Sequence, residues 1–193
     1  MNAYEIVSEF EKKLAEYVGS PYAVAVDSCT NALFLCCKYL QIKQITIPSR
    51  TYISVPCSIV NAGGSVKFEE INWKGSYQLK PYPIYDSACK LSRNMYEKDT
   101  FQCISFSYNK IINIGKGGMI FTDNLEAVKW FKLARYEGRE EVSLMEQENF
   151  SFVGWNMYMT SEQAARGLVL SSYLKDENVL LYEYPDLSKK FKL

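Results

Sequence analysis

The chain contains no histidine. That absence removes histidine-based nucleophile triads, histidine metal sites and imidazole acid–base work together, and leaves Lys, Asp, Glu, Tyr, Cys and Ser for any chemistry. No charge of one sign is in excess either: Lys plus Arg and Asp plus Glu stand at 22 each. Nothing therefore argues for nucleic acid or a membrane surface as partner. The six cysteines, Cys29, Cys36, Cys37, Cys57, Cys89 and Cys103, show neither CxxC spacing nor a disulfide-framework pattern. Most fall in apolar runs, so reduced core thiols, a cytosolic compartment and no metal site are expected. Residues 1–17, MNAYEIVSEFEKKLAEY, are charged and amphipathic, unlike a signal peptide, and no apolar run is long enough to span a bilayer. The patterns GxGxxG and GxxxxGK(S/T) are missing, the stretch IGKGG having the wrong spacing, which disfavours a dinucleotide or nucleoside triphosphate.

What is present is a rhythm of short apolar strands and helices. A length of 193 residues fits one domain spanning the whole chain, with a single sizeable core. Ile6, Phe10, Leu14 and Tyr17 or Val18 recur at helical spacing over residues 2–18, and Gly19 stands at the C-cap. YAVAV, ITIPS, SVKFEE, PIYDSA, FQCISFS and GGMIFTD read as strands. Helices are predicted over ALFLCCKYL, over residues 53–62, over LEAVKWFKLARYE behind Asn124, and over AARGLVLSSYL behind a Thr160–Gln163 capping box. Residues 71–82, INWKGSYQLKPY, have no clear period and read as a loop. Alternating strands and helices imply an α/β fold, three-layered, with a mostly parallel sheet of about six strands.

In such a sheet, ligands bind where strands end and helices begin. Lys110 follows the strand FQCISFS, ahead of Gly115, Gly117 and Gly118; a lysine held there is either a solvated loop residue or a nucleophilic amine. The segment DSCTN leads into a helix, so N–H groups near Ser28 to Asn31, with Cys29 and the Thr30 hydroxyl, could cradle a phosphate; plain capping by Asp27 or Ser28 uses the same donors. Asp86 ends the strand PIY, as a turn residue or as a carboxylate awaiting a cation. Ser105 lies five residues before Lys110, as a core serine or a phosphate ligand. Tyr52 follows a strand end, where its ring either packs or stacks on a flat cofactor. An amine, a carboxylate, a phosphate cup and an aromatic plate are together what pyridoxal 5'-phosphate (PLP) requires, with Lys110 forming the Schiff base and Asp86 holding the ring nitrogen protonated.

On these residues the sequence resembles the DegT/DnrJ/StrS sugar aminotransferases, a family of fold type I PLP enzymes. FEKKLAEYVGSPYAVAVDSCTNAL is similar to the family's opening helix, strand and phosphate cup, and PSRTYISVPCSIVNAGGSVKFEEI to its next unit. PIYDSACKL resembles the segment whose Asp meets the pyridine nitrogen, and ISFSYNKIINIGKGGMIFTDN the lysine segment. GWNMYMTSEQAARGL resembles a later segment, and the likeness gives Asn156 a role at the cofactor phosphate of a partner subunit. The resemblance implies a reduced fold type I large domain, a homodimer with its active site at the interface, and a nucleotide-linked keto sugar as substrate. Glutamate or glutamine is then the implied amino donor.

Departures are equally plain. Cys89 stands three residues after Asp86, where the family usually carries Gln or His to meet the cofactor's ring oxygen. Cys29 replaces a small residue of the cup, and Tyr158 an Arg. A strand–helix unit between SVKFEE and PIYDSA is missing, as is the C-terminal small domain. Interior backbone groups left unpaired are costly, so PIYD is expected to pair directly with ITIP. These losses keep two alternatives open: a PLP-binding relic that does not transaminate, and one half of a split enzyme completed by another chain.

Overall fold

A computed structural model of the protein describes residues 3–150 and 152–191; Asn2, where the first predicted helix begins, lies outside them. The expected helical spacing forms α1 (Ala3–Val18), which buries Phe10, Leu14 and Val18 completely. Then come β1 (Tyr22–Val26), α2 (Cys29–Tyr39), β2 (Gln44–Pro48), α3 (Ser54–Asn61), β3 (Ser65–Glu69), β4 (Tyr77–Gln78) and β5 (Ile84–Asp86). The chain continues through β6 (Phe101–Ser105), β7 (Gly118–Thr122), α4 (Leu125–Arg135) and α5 (Ser161–Ser171), and residues 187–189 form a 3-10 turn. Asn124 caps α4 by accepting from the Ala127 N–H, and the Thr160–Gln163 box opens α5 as its spacing predicts.

Five strands form one sheet in the order β1-β7-β6-β5-β4, and β2 and β3 form a parallel pair beside it. Alternate residues leave opposite faces, as a strand's period of two demands. Val24, Val26, Cys103 and Ile120 join α2, α3 and α4 in one core; Ala23, Ala25, Ile104, Met119 and Phe121 join α1 and α5 in the other. The sheet is therefore the middle of three layers. Gly167 of α5 lets the upper helices meet closely, since a Cβ there would lie 2.4 Å from the Phe10 ring.

Two expectations about the sheet are corrected. It is mixed: only β5 and β6 run parallel within it, while β1–β7, β7–β6 and β5–β4 run antiparallel. A parallel return usually takes a helical crossover, and the glycine-bearing segment between β6 and β7 holds no helix. The second correction concerns the gap. β5 does not pair with β2; the segment expected as a loop folds back as β4 and fills the space between them. Tyr77 pairs with Asp86 and Gln78 with Tyr85, and the Leu79 N–H reaches the Ile84 carbonyl at 2.8 Å. On the other side Lys80 and Thr46 exchange N–H···O bonds of 3.1 and 2.8 Å, which ties β2 to the sheet. An antiparallel hairpin is the one strand that so short a segment can provide, and it satisfies backbone groups on both borders.

The six cysteines are free, and all but Cys57 are buried. Among the described residues no helix is long and apolar enough to cross a membrane.

Candidate active site

The ends of β1, β2, β5 and β6 open on a cleft of about 260 Å³. Ser28, Cys29, Thr30, Tyr52, Asp86, Cys89, Ser105 and Lys110 all line it. Each comes from a strand end or the turn after one, so rigid backbone brings together residues up to 82 positions apart (28 to 110). Asn156 does not line it. Its amide donates to Glu137 Oε1 at 2.8 Å, and its backbone bridges Tyr136.

Ser28 is the N-cap of α2: its Oγ accepts from the Asn31 N–H at 3.2 Å, and its carbonyl takes the Ala32 N–H at 3.0 Å. The first N–H groups of a helix have no partner within it, which leaves those of Cys29 and Thr30 for a ligand at the positive end of the helix. Asp27 is engaged elsewhere. Its carboxylate accepts from the Asn31 side chain and pairs with Lys116 at 2.8 Å, on the loop that also carries Lys110. Gly118 holds that loop against the cup: a Cβ there would fall 2.4 Å from the Cys29 nitrogen.

Asp86 is 6% exposed, and each of its oxygens accepts one bond. Oδ1 takes the Ala88 N–H and Oδ2 the Tyr77 hydroxyl, both at 2.9 Å. Among the described residues it has no salt-bridge partner within 4.0 Å. Burial pushes its carboxyl above the usual carboxylate range, against the Ala88 N–H, the Tyr77 hydroxyl and the charge of Lys110. A buried carboxylate in that condition gains most from a cation placed in the cleft.

Lys110 Nζ lies 3.5 Å from Cys89 Sγ and 4.5 Å from the centre of the Tyr182 ring, so the amine points into the cleft. Burial raises the Cys89 thiol, with Lys110 and the Tyr184 hydroxyl (3.7 Å from the sulfur) pulling the other way. Burial followed by the Asp86 charge raises Cys29 further. Both thiols are thus kept protonated, which makes them poor nucleophiles beside Lys110.

Four aromatic residues of the wall escape sequence reasoning. Trp73 comes from the segment expected as a loop, as does Tyr77, which lies behind the wall on Asp86. Tyr108 comes from the turn that carries Lys110, and Tyr182 and Tyr184 from a C-terminal stretch without a period. That stretch crosses the cleft: the Leu180 N–H bonds the Cys89 carbonyl at 2.8 Å, and Tyr184 stacks on Trp73 at 5.9 Å and 19°. Tyr52, 58% exposed, meets Tyr184 edge-on at 6.3 Å. The alternation in LYEY is the one local signal that could have drawn attention to the pair.

The donor set fits PLP. The N-terminal N–H groups of α2, an amine, a buried carboxylate with no salt bridge among the described residues and the ring of Tyr52 surround one cavity.

The sequence model of the DegT/DnrJ/EryC1/StrS aminotransferase family matches residues 1–87 and 88–178. GDP-perosamine synthase from Caulobacter vibrioides is 26% identical over 207 aligned positions, covering 84% of this chain and 55% of its own length. The crystal structure of AtS13 from Actinomadura melliaura superposes with a TM-score of 0.75 at 19% identity, covering 87% of this chain and 60% of that one. That of S. venezuelae DesV, in complex with a ketimine intermediate, gives 0.72 at 18%, with 87% and 56% covered. The chain thus spans little more than half the length of these three relatives. With nearly all of its sequence under the family's pattern, the chain belongs to the DegT/DnrJ/EryC1/StrS aminotransferases.

Proposed function

We propose that the chain binds PLP and transfers an amino group to a nucleotide-linked keto sugar, with glutamate or glutamine as donor, in the cytoplasm and as a homodimer. The observation that carries this reading is the convergence on one cleft of the Lys110 amine and the buried Asp86 carboxylate, which has no salt bridge among the described residues. Support for a nucleotide sugar comes from the name of the Caulobacter relative, a GDP-perosamine synthase.

PLP, when bound, supplies an aldehyde for amino-group exchange and a ring that delocalises charge from the substrate carbon. The rest falls to the chain. The Cys29 and Thr30 N–H groups and the Ser105 hydroxyl bind the phosphate, and Tyr52 covers one ring face. Asp86 accepts a hydrogen bond from the protonated ring nitrogen and so holds its charge. Lys110 would hold the aldehyde carbon, and its Nζ would carry a proton to and from the substrate carbon. Asn156 reaches the phosphate held by the other subunit of the dimer.

The test is spectroscopic. Added PLP gives the wild type a visible absorbance band that glutamate or glutamine bleaches, and Lys110→Ala gives none. Unchanged spectra in the wild type would refute the reading. A band that no amino donor bleaches would favour the second reading, a PLP-binding relic or one half of a split enzyme. The observation behind that alternative is the 55–60% coverage of the relatives' length.

A further inference from the structure

β4 does more than fill the sheet. Its first residue, Tyr77, places its hydroxyl 2.9 Å from Asp86 Oδ2, and that hydroxyl is also bonded to Thr51 Oγ1. Thr51, Tyr77 and Asp86 are 1%, 6% and 6% exposed, so no solvent competes with the chain of bonds. Proton counting sets its direction. A carboxylate only accepts, so Tyr77 spends its one proton on Asp86, and Thr51 must then donate to Tyr77. The ring is fixed as well, by tilted packing on Trp73 at 4.8 Å and by the β4–β5 pairing of Tyr77 with Asp86.

We propose that Tyr77 is a positioning residue for Asp86: its hydroxyl, aligned by Thr51, fixes the carboxylate plane and keeps it ionised to face a cation in the cleft. This rests on the PLP reading above, in which that cation is the protonated ring nitrogen. With the Ala88 N–H on Oδ1 and the Tyr77 O–H on Oδ2, both oxygens are held, one remaining lone pair on each being free for the ligand. Loss of the Tyr77 donor leaves burial less opposed, and the carboxyl then takes a proton more readily. A neutral acid cannot hold the ring nitrogen's charge. The short antiparallel strand thus supplies both a missing piece of sheet and a functional hydroxyl.

Tyr77→Phe keeps the ring and removes the donor; Thr51→Val keeps the donor and removes its alignment. Two readouts separate the outcomes. In the protein without PLP, infrared difference spectra against the matching Asp86→Asn variant follow protonation of that one carboxyl. Tyr77→Phe is expected to move the protonated signal to higher pH, and Thr51→Val to move it less in the same direction. With PLP, Tyr77→Phe is expected to weaken binding about tenfold, and to add nothing further in the Asp86→Asn background. An unshifted carboxyl titration in both variants, or an equal loss of affinity with and without Asp86, would overturn the proposal. A wild type that takes up no PLP would sink the cofactor reading instead, while the carboxyl titration still decides the role of Tyr77.

Discussion

Burial dominates the Asp86 carboxyl, and the Ala88 and Tyr77 donors and the Lys110 charge offset only part of it. An acid raised in this way binds its proton more tightly folded than unfolded. Stability is then lost as pH climbs from the unfolded value, about 3.9, through the higher folded one. Asp86→Asn is expected to remove that loss, so in denaturant titrations without PLP its advantage over wild type should grow from acid to neutral pH. A variant that is less stable at neutral pH would show that the two donors outweigh the burial. The thiols follow the same logic. Burial pushes Cys37 up to about 12 and raises Cys29 and Cys103 well above the free value, whereas Cys57 is only half buried. Alkylation of the native protein, mapped by mass spectrometry, should label Cys57 first; early labelling of Cys37 would contradict the packing of α2. Lys110, Asp86, Ser105 and Tyr52 were legible in the sequence because each sits on or just after a readable strand. Tyr77, Tyr182 and Tyr184 were not, because aperiodic segments carry them and only the folded chain brings the first onto Asp86 and the other two to the cleft.

At the scale of elements, apolar periodicity located the five α-helices and six of the seven strands found among the described residues, and failed where pairing depends on partners distant in sequence. Strand direction between β6 and β7 was not legible from length, since the twelve residues between them are enough for a crossover; the want of a helix among them is what goes with the antiparallel return. Nor was β4 legible, because a two-residue strand has no period to detect. Buried charge also escapes such patterns. Glu11 of α1 and Arg135 of α4, 5% and 1% exposed, pair with each other and with the β1 backbone, where Glu11 takes the Ala25 N–H at 2.8 Å and Arg135 donates to the Ala25 carbonyl. Glu11→Gln strands the guanidinium with Glu141 as its remaining carboxylate, and a loss of about 3 kcal/mol is expected in urea unfolding. Gly167→Ala should cost about 1–3 kcal/mol in the same assay, because its new methyl meets the fully buried Phe10 ring. A neutral result at position 167 would mean that α1 and α5 separate without penalty.

For the whole molecule, the proposed dimer accounts for the one candidate residue that lies away from the cleft. If Asn156 serves the partner's phosphate, neither Lys110→Ala nor Asn156→Ala alone holds PLP normally, yet a mixed dimer of the two regains one complete site. Sedimentation should show a dimer of 22.2 kDa chains, and mixing the variants should restore part of the tight PLP binding that each lacks. Recovery absent from verified mixed dimers would place the action of Asn156 within its own chain, beside Glu137.

The most direct measurement is chemical. Incubating the protein with PLP, reducing with borohydride and mapping the peptides by mass spectrometry locates the covalent attachment. A single pyridoxyl group on Lys110 is the predicted result, diminished in Asp86→Asn. Label scattered over exposed lysines such as Lys67 and Lys129, with Lys110 unmodified, would contradict the account.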